Sequence, residues 1–296
     1  MPVTMKDVAH AAGVSTATVS FVLNQTPHQS LRATTIDRVQ RAAESLGYTP
    51  NRIARALREG SSRLVVLRAR RLRGRSLDTM ISGLEQELSE DGYTLLVTDS
   101  ETGVDDLLAA VAPRQVLDFQ DPQLPGVYDG WLDEMSHHTA TQLSFLLDRG
   151  HRHIAYATPA TGMLVDVRMS HVKQYLSKVG APDPVPFMVP RNQAELPAAI
   201  ETLRRDNPAV TAIAAYDDRR AIRLLAGLNT LRVQVPGDLA VIGFDADDIG
   251  AWWNPALTTV EIDSFEYGRR IGRAVLGLPD LPWPHQPSRV LVRDTV

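Results

Sequence analysis

Four side chains near the amino terminus, Thr16, Ala17, Ser20 and Phe21, have the types and spacing needed to touch the edges of base pairs. Hydroxyls can donate to or accept from base edges, and methyl or ring carbons can meet a thymine methyl. Their spacing places them at the start of one helix, on its outward side. Such a helix is slim enough to enter a major groove, so the chemistry on offer is recognition rather than bond making.

Side chains of this kind read nothing unless a scaffold holds them, and the flanking residues supply one. Thr4 stands where an N-cap belongs, and Asp7 can return the hydrogen bond as a capping box. Met5, Val8, Ala9 and Ala12 then fall at helical spacing, and Gly13 can end that helix in the left-handed conformation. Ser15 is placed to cap the second helix, with Val19, Val22 and Leu23 on its buried side. A third helix is expected over residues 35–46, TIDRVQRAAESL, burying Ile36, Val39, Ala42, Ala43 and Leu46; Gly47 and Pro50 stop it, and Tyr48 folds back. The pattern is a helix-turn-helix bundle. A plain three-helix cap with solvated Thr and Ser is the bland alternative, but the turn, both caps and the apolar spacing agree on the DNA reader.

The stretch VTMKDVAHAAGVSTATVSFVLN, the helix ending in LGYTPN and the following RIARAL closely resemble the headpiece of the lactose-repressor (LacI/GalR) family of bacterial transcription regulators. The resemblance implies a hinge over Asn51 to Arg58 that becomes helical on operator DNA and enters the minor groove. Leu57 would then be the wedge that unstacks the central base step, with Ala54 beside it. The candidate DNA-contacting set is Thr4, Ser15, Thr16, Ala17, Thr18, Ser20, Phe21, Asn24, Arg32, Tyr48, Asn51, Arg52, Ala54, Arg55 and Leu57. Two positions depart from the family. Phe21 stands where Arg is common and offers ring contacts, and Arg32 stands where Ser or Thr often precedes the third helix, which suits a phosphate contact better than a cap.

Length and charge fit a small DNA-binding head on a larger body. The chain has 296 residues, 44% of them hydrophobic, and a net charge of −4. Residues 1–63 carry 8 Lys or Arg against 4 acids, residues 64–75 add five Arg, and the remainder is acidic by 13 charges. Phosphate attraction is therefore concentrated at one end, and DNA binding should weaken with salt. No cysteine is present, which suits a reducing compartment and excludes thiolate metal sites. The start, MPVTMKDV, shows no secretory signal and no segment is long and apolar enough to span a membrane, so a cytoplasmic, nucleoid-associated protein is expected.

From residue 64 onward strands and helices alternate. Strands are expected at Leu64–Leu67, Tyr93–Thr98, Gln115–Phe119, His153–Ala157, Ala212–Tyr216 and Leu239–Phe244. Helices are expected at Leu77–Ser89, Asp105–Ala112, Thr139–Arg149, Met169–Val179, Leu196–Asp206 and Asp218–Leu228. Such repetition implies parallel sheets covered on both faces. DRGHRHIAY, AAYDDRRAI, VPGDLAVIGFDADD and NPALTTVEID resemble the family's periplasmic-binding-protein-like sensor of two Rossmann-like lobes, which clasps a ligand in its cleft. The fold expected is thus a small all-α helix-turn-helix headpiece (1–49), a hinge helix (50–60) and an α/β effector-binding and dimerisation domain (61–296). Lobe 1 takes about 61–130 and 264–288; lobe 2 takes about 131–263 and the C-terminal end. From Thr98 to His137 the chain is short by about one βα unit, so the first lobe is expected to be shortened.

The resemblance carries Arg168, Asp217, Asp218 and Asp245 over as effector contacts; the C-terminal ends of strands independently favour Asp217 and Asp245. Arg68 joins them at a strand end, in a run LRARRLRGRSL whose arginines allow an anionic effector, or else an exposed basic loop that lies near the DNA or is neutralised by the acidic body. The function expected is a regulator, a repressor by the family's usual sign, that binds a palindromic operator as a homodimer. A carbohydrate or anionic metabolite would control it, unless the altered sensor binds no effector. An enzyme using Asp217, Asp218, Asp245, Asp247 and Asp248 is a rival, as is a solute-binding protein. The chain has no HExxH, GxSxG, Walker A or GxGxxG after a strand, and no catalytic group, metal or cofactor is expected.

Overall fold

The computed structural model describes residues 3–23, 31–48, 62–69, 74–100, 104–118, 128–280 and 288–296. Asn24, the hinge 50–60 with Asn51, Arg52, Ala54, Arg55 and Leu57, and Arg70, Arg71 and Arg73 lie outside the described residues. The chain divides into two compact units, Met1–Ser62 with Leu107–Ala112, and Arg63–Asp106 with Pro113–Val296.

The first unit holds three helices, α1 (Met5–Ala12), α2 (Thr16–Leu23) and α3 (Ala33–Ser45). Asp7 Oδ2 accepts from Thr4 N at 2.8 Å and from Thr4 Oγ1 at 2.7 Å, which closes the N-terminus of α1. Gly13, at φ 61°, ends it with the paired bonds Gly13 N to His10 O and Val14 N to Ala9 O. Gly47 repeats that ending after α3, at φ 63°, with Tyr48 N reaching Ala43 O at 2.9 Å. Val8, Val19 and Val39 are fully buried where the three helices meet. Leu46 departs from expectation: it is the C-cap of α3, keeps αR backbone angles and is 37% exposed.

In the second unit, β1 (Ser62–Arg68) is the middle strand of a three-stranded sheet with β2 (Thr94–Thr98) and β3 (Pro113–Asp118). Strands β1 and β2 are parallel, Leu64 opposite Thr94. Helix α4 (Arg75–Glu90) connects β1 to β2, and α5 (Val104–Val111), whose residues from Leu107 are assigned to the first unit, connects β2 to β3. The chain continues through α6 (Tyr128–Asp148), β4 (Ile154–Thr158), α7 (Met163–Lys178), β5 (Val185–Met188), α8 (Leu196–Asp206), β6 (Ala212–Ala215), α9 (Asp218–Thr230) and β7 (Ala240–Ile242). Strands β5, β4, β6 and β7 form, in that order, a wholly parallel sheet.

Alternation along the strands sends neighbouring residues to opposite faces. Ala155, Ala157, Ile213 and Val241 pack with α8 and α9, while Ile154, Tyr156, Ala214 and Ile242 pack with α6 and α7. Burial on both faces is why these strands read as unbroken apolar runs. After β7 come a short helix α10 (Ile249–Trp252), β8 (Thr259–Glu261), α11 (Phe265–Leu276) and β9 (Arg289–Leu291), with β8 and β9 antiparallel. Helix α11 returns to pack along α4. Among the described residues the first sheet has three strands and the second four.

Candidate functional site

Helix α2 presents its first turn to solvent. Thr18 N donates to Ser15 Oγ at 3.1 Å, so Ser15 caps the helix as expected, and the Ser15 and Thr18 hydroxyls pair at 2.9 Å. With Val19 and Val22 turned inward, Thr16 and Ala17 are exposed and Ser20 and Phe21 half-exposed on the opposite side. Arg32 occupies the N-cap position of α3 without a side-chain cap bond and is exposed, which leaves its guanidinium available. Tyr48 is instead packed against the headpiece core, with its ring half-buried. Thr4 is exposed, but its hydroxyl is already directed to Asp7.

A second polar centre lies at the C-terminal ends of β6 and β7. Arg168, on α7, is 3% exposed and stacks on the Phe244 ring at 3.6 Å from its centroid. It donates to Tyr216 O, and Nη2 lies 3.5 Å from Gln142 Oε1, while Nε is buried with no acceptor. No carboxylate pairs with it among the described residues. His138, on α6, is likewise buried with neither ring nitrogen bonded. Burial first, then His137 and Arg168, push its pKa down to about 3, so the ring is neutral. The Tyr156 hydroxyl is a third buried group without a partner, pushed up to about 12 chiefly by burial.

Four acidic side chains gather around this centre with different duties. Asp217 N-caps α9, accepting from Arg220 N at 2.9 Å and pairing with the Arg220 guanidinium. Asp218 is 1% exposed, and its oxygens take Phe244 N and Asp247 N, each at 2.7 Å, together with the Thr259 hydroxyl. Asp245 lies between those two donors on the loop, at φ 103°, and its Oδ1 accepts from Ser76 N at 2.9 Å. Asp247 faces Arg219 at 3.6 Å. Burial, as the leading cause, raises both Asp218 and Asp245 to about 7.

The sequence comparisons settle what carries these two centres. Residues 4–51 match the model for bacterial regulatory proteins of the lacI family, and residues 143–296, more than half the chain, match the periplasmic binding protein-like domain. The chain belongs to the lacI family of bacterial regulatory proteins. Among relatives of this LacI-family chain, the HTH-type transcriptional repressor PurR of Vibrio atlanticus (strain LGP32) is 27% identical over 91% of this chain and 89% of its own. The ribose operon repressor of Escherichia coli (strain K12) is 27% identical over 90% and 89%. A crystal structure of the lac repressor dimer bound to operator and the anti-inducer ONPF covers 100% of this chain and 99% of its own, with a TM-score of 0.77 and 22% identity, and so shares the fold. These relatives are regulators of transcription, and this LacI-family member is a sequence-specific DNA-binding regulator.

Within that family frame, two of the expected effector contacts have partners inside the protein. Asp218 does not offer its carboxylate to a cleft: its oxygens are taken by Phe244 N and Asp247 N, which braces the loop 244–247, and by the Thr259 hydroxyl, and Gly243 must be glycine because a Cβ there would lie 2.0 Å from Asp218 Oδ1. Arg68 is only partly matched: it pairs with Asp105 of the same lobe, while its Nε is buried with no acceptor. Arg75 is matched too, by Asp248 at 3.2 Å. Of the arginine run, the two described members, Arg68 and Arg75, thus each face one exposed carboxylate. Arg168, Asp217 and Asp245 do lie within electrostatic reach of one another, since Asp217 raises and Arg168 lowers the titration of the Asp245 carboxyl. Sequence reasoning missed His138 and Gln142, whose signal was two polar residues inside the apolar stripe of α6; Gln142 Nε2 ties Ala215 O to Gly243 O at 2.9 Å each.

Proposed function

We propose that this chain represses transcription as a homodimer, placing two headpieces on an inverted-repeat operator, and that a small molecule held in the body changes its grip. The observation that carries the reading is the outward first turn of α2, capped by Ser15 and backed by Val19 and Val22. Thr16, Ala17, Ser20 and Phe21 are the base-reading set. Thr4, Ser15, Thr18, Asn24, Arg32 and Tyr48 set its register against sugar and phosphate. The hinge, with Asn51, Arg52, Ala54, Arg55 and the wedge Leu57, enters the minor groove; its resemblance to the family headpiece supports that assignment.

In the body, Arg68, Arg168, Asp217 and Asp245 are the proposed ligand contacts. A buried guanidinium with an unspent N–H, stacked on Phe244 and within electrostatic reach of two carboxylates, suits a neutral molecule bearing hydroxyls. A carbohydrate fits that description. One relative is the repressor of a ribose operon and one structural neighbour, a transcriptional regulator, holds cellobiose, which agrees with this class. Asp218 is left out of the set because it is 1% exposed and its oxygens are taken by Phe244 N, Asp247 N and the Thr259 hydroxyl, whereas Arg68 stays in it through an Nε that is buried with no acceptor. The compartment that suits a repressor is the cytoplasm.

An electrophoretic shift assay on the DNA surrounding the protein's own gene tests the function. The full chain should retard that DNA in low salt, and retardation should fade steeply as salt rises. A chain lacking residues 1–60 should not retard it at all. Equal retardation by both chains would remove the headpiece from the mechanism.

A further inference from the structure

We propose that the sensor cleft carries its own occupant: the Asp245 carboxylate, seated on the first turn of α4, latches the two lobes together and must be withdrawn for the cleft to open. The proposal rests on the ligand-controlled reading above and names the contact that a ligand would have to compete with.

The latch joins elements of different sheets. Asp245 follows β7 of the four-stranded sheet, whereas Ser76 lies in the first turn of α4, which packs on the three-stranded sheet. Ser76 N donates to Asp245 Oδ1 at 2.9 Å, one of the N–H groups that a helix start leaves without an internal partner. Either protonation state can accept this bond, through a carboxylate oxygen or through the carbonyl oxygen of the neutral carboxyl. Gly74 makes room: a Cβ on it would sit 1.6 Å from Asp245 Oδ2, and its φ of 134° suits glycine in any case. The pairing of Arg75 with Asp248, half-exposed and at 3.2 Å, adds little beside it.

The loop is shaped to deliver this carboxylate. Asp245 itself has φ 103° and Ala246 has φ 52°, a conformation that side-chain-bearing residues rarely adopt and that persists only when its surroundings enforce it. Asp218 enforces it from below, holding Phe244 N on one side of Asp245 and Asp247 N on the other. Asp218 is thus a positioning residue for the latch.

The charged and titratable groups that face Asp245 are Arg168 from α7, Asp217 and Asp218 from the start of α9, and Tyr216 from the end of β6, with Ser76 donating from α4. Burial, then Asp217, outweigh the Ser76 donors and Arg168 and raise the carboxyl to about 7. In water the same group would titrate near 3.8, its ordinary value. The closed arrangement therefore holds a proton that an opened cleft would release. Closure gains as pH falls below about 7 and weakens as pH rises through it.

The chain has no cysteine, so Glu85→Cys on α4 and Lys178→Cys at the end of α7 give two unique labelling sites, one on each lobe. Energy transfer between dyes on the full-length protein should report a short distance at pH 6 that lengthens with a midpoint near pH 7. Asp245→Asn, which keeps a carbonyl for Ser76 N, should stay short at both ends of the titration. Asp245→Ala and Gly74→Ala, disrupting the latch from opposite lobes, should both read long at pH 6. Wild-type distances in those two variants, or an Asp245→Asn protein that titrates like the parent, would overturn the latch. Operator binding measured on the same samples separates the two readings: if the parent protein fails to bind DNA while the distances behave as stated, the regulator reading falls and the latch stands.

Discussion

Replacing Ala17 with glutamate should lower operator affinity by about 100-fold or more, since like charges brought together at an interface cost several kcal/mol. Ala17 is exposed in the first turn of α2, where no headpiece core packing depends on it. A glutamate there interacts favourably with the helix N-terminus, so the headpiece should melt at the same temperature as before or slightly higher. Fold and function are thereby separated in one variant. In the complex, the same carboxylate would enter a groove walled by phosphates and replace a methyl group with a desolvated charge. Fluorescence anisotropy on labelled operator at fixed salt measures the loss. An unchanged affinity would place the reading surface elsewhere.

Gly268→Val should destabilise the body by about 3–5 kcal/mol, combining overpacking with the breaking of a buried ion pair. A drop in melting temperature of roughly 6–20 °C follows for a unit of this size. A Cβ on Gly268 would lie 1.9 Å from Met80 O and 2.6 Å from Leu84 N, and one on Gly83 would lie 2.0 Å from Phe265 O. Helices α4 and α11 therefore touch backbone to backbone. That closeness lets Arg269 Nε and Arg273 Nη1 reach the two oxygens of Glu87, at 3.0 and 2.7 Å, although Glu87 is only 3% exposed. Helix propensity alone gives the opposite sign, favouring valine over glycine by about 0.4 kcal/mol. A calorimetric scan decides between them, and a melting temperature that holds or rises would contradict the packing argument.

The headpiece was legible from sequence because its determinants are local. Thr4 with Asp7, Gly13, and Ser15 with Thr18 lie within a few residues of one another, and the observed caps follow the expected ones. Leu46 was misplaced because helical periodicity gives the direction of a side chain but not whether another element covers it. In the body, the parallel strands announced themselves as apolar runs, but β5 did not. Its four residues, VPFM, include Pro186, which argues against a strand, and it is tolerated because β5 is at the edge of the sheet. Helix α11 was obscured by Gly268 and Gly272, which look like breakers until the opposing backbone of α4 is seen.

The cleft was legible only in part, since its bonds join residues far apart in sequence. Nothing near Asp218 tells that its partners are Phe244, Asp247 and Thr259, or that Asp245 will reach Ser76. A resemblance matches residues to a family's motif, and here it matched Asp218 to ligand contact when its bonds go to the protein. The pairing of Arg68 shows the same limit, because Asp105 is 37 residues away.

The central claim is that α2, on a paired headpiece, reads a specific DNA sequence. Selection of bound fragments from a random DNA pool by the full-length protein tests it most directly. The account predicts enrichment of an inverted repeat with a fixed centre; fragments sharing no half-site, or a single unrepeated site, would contradict it.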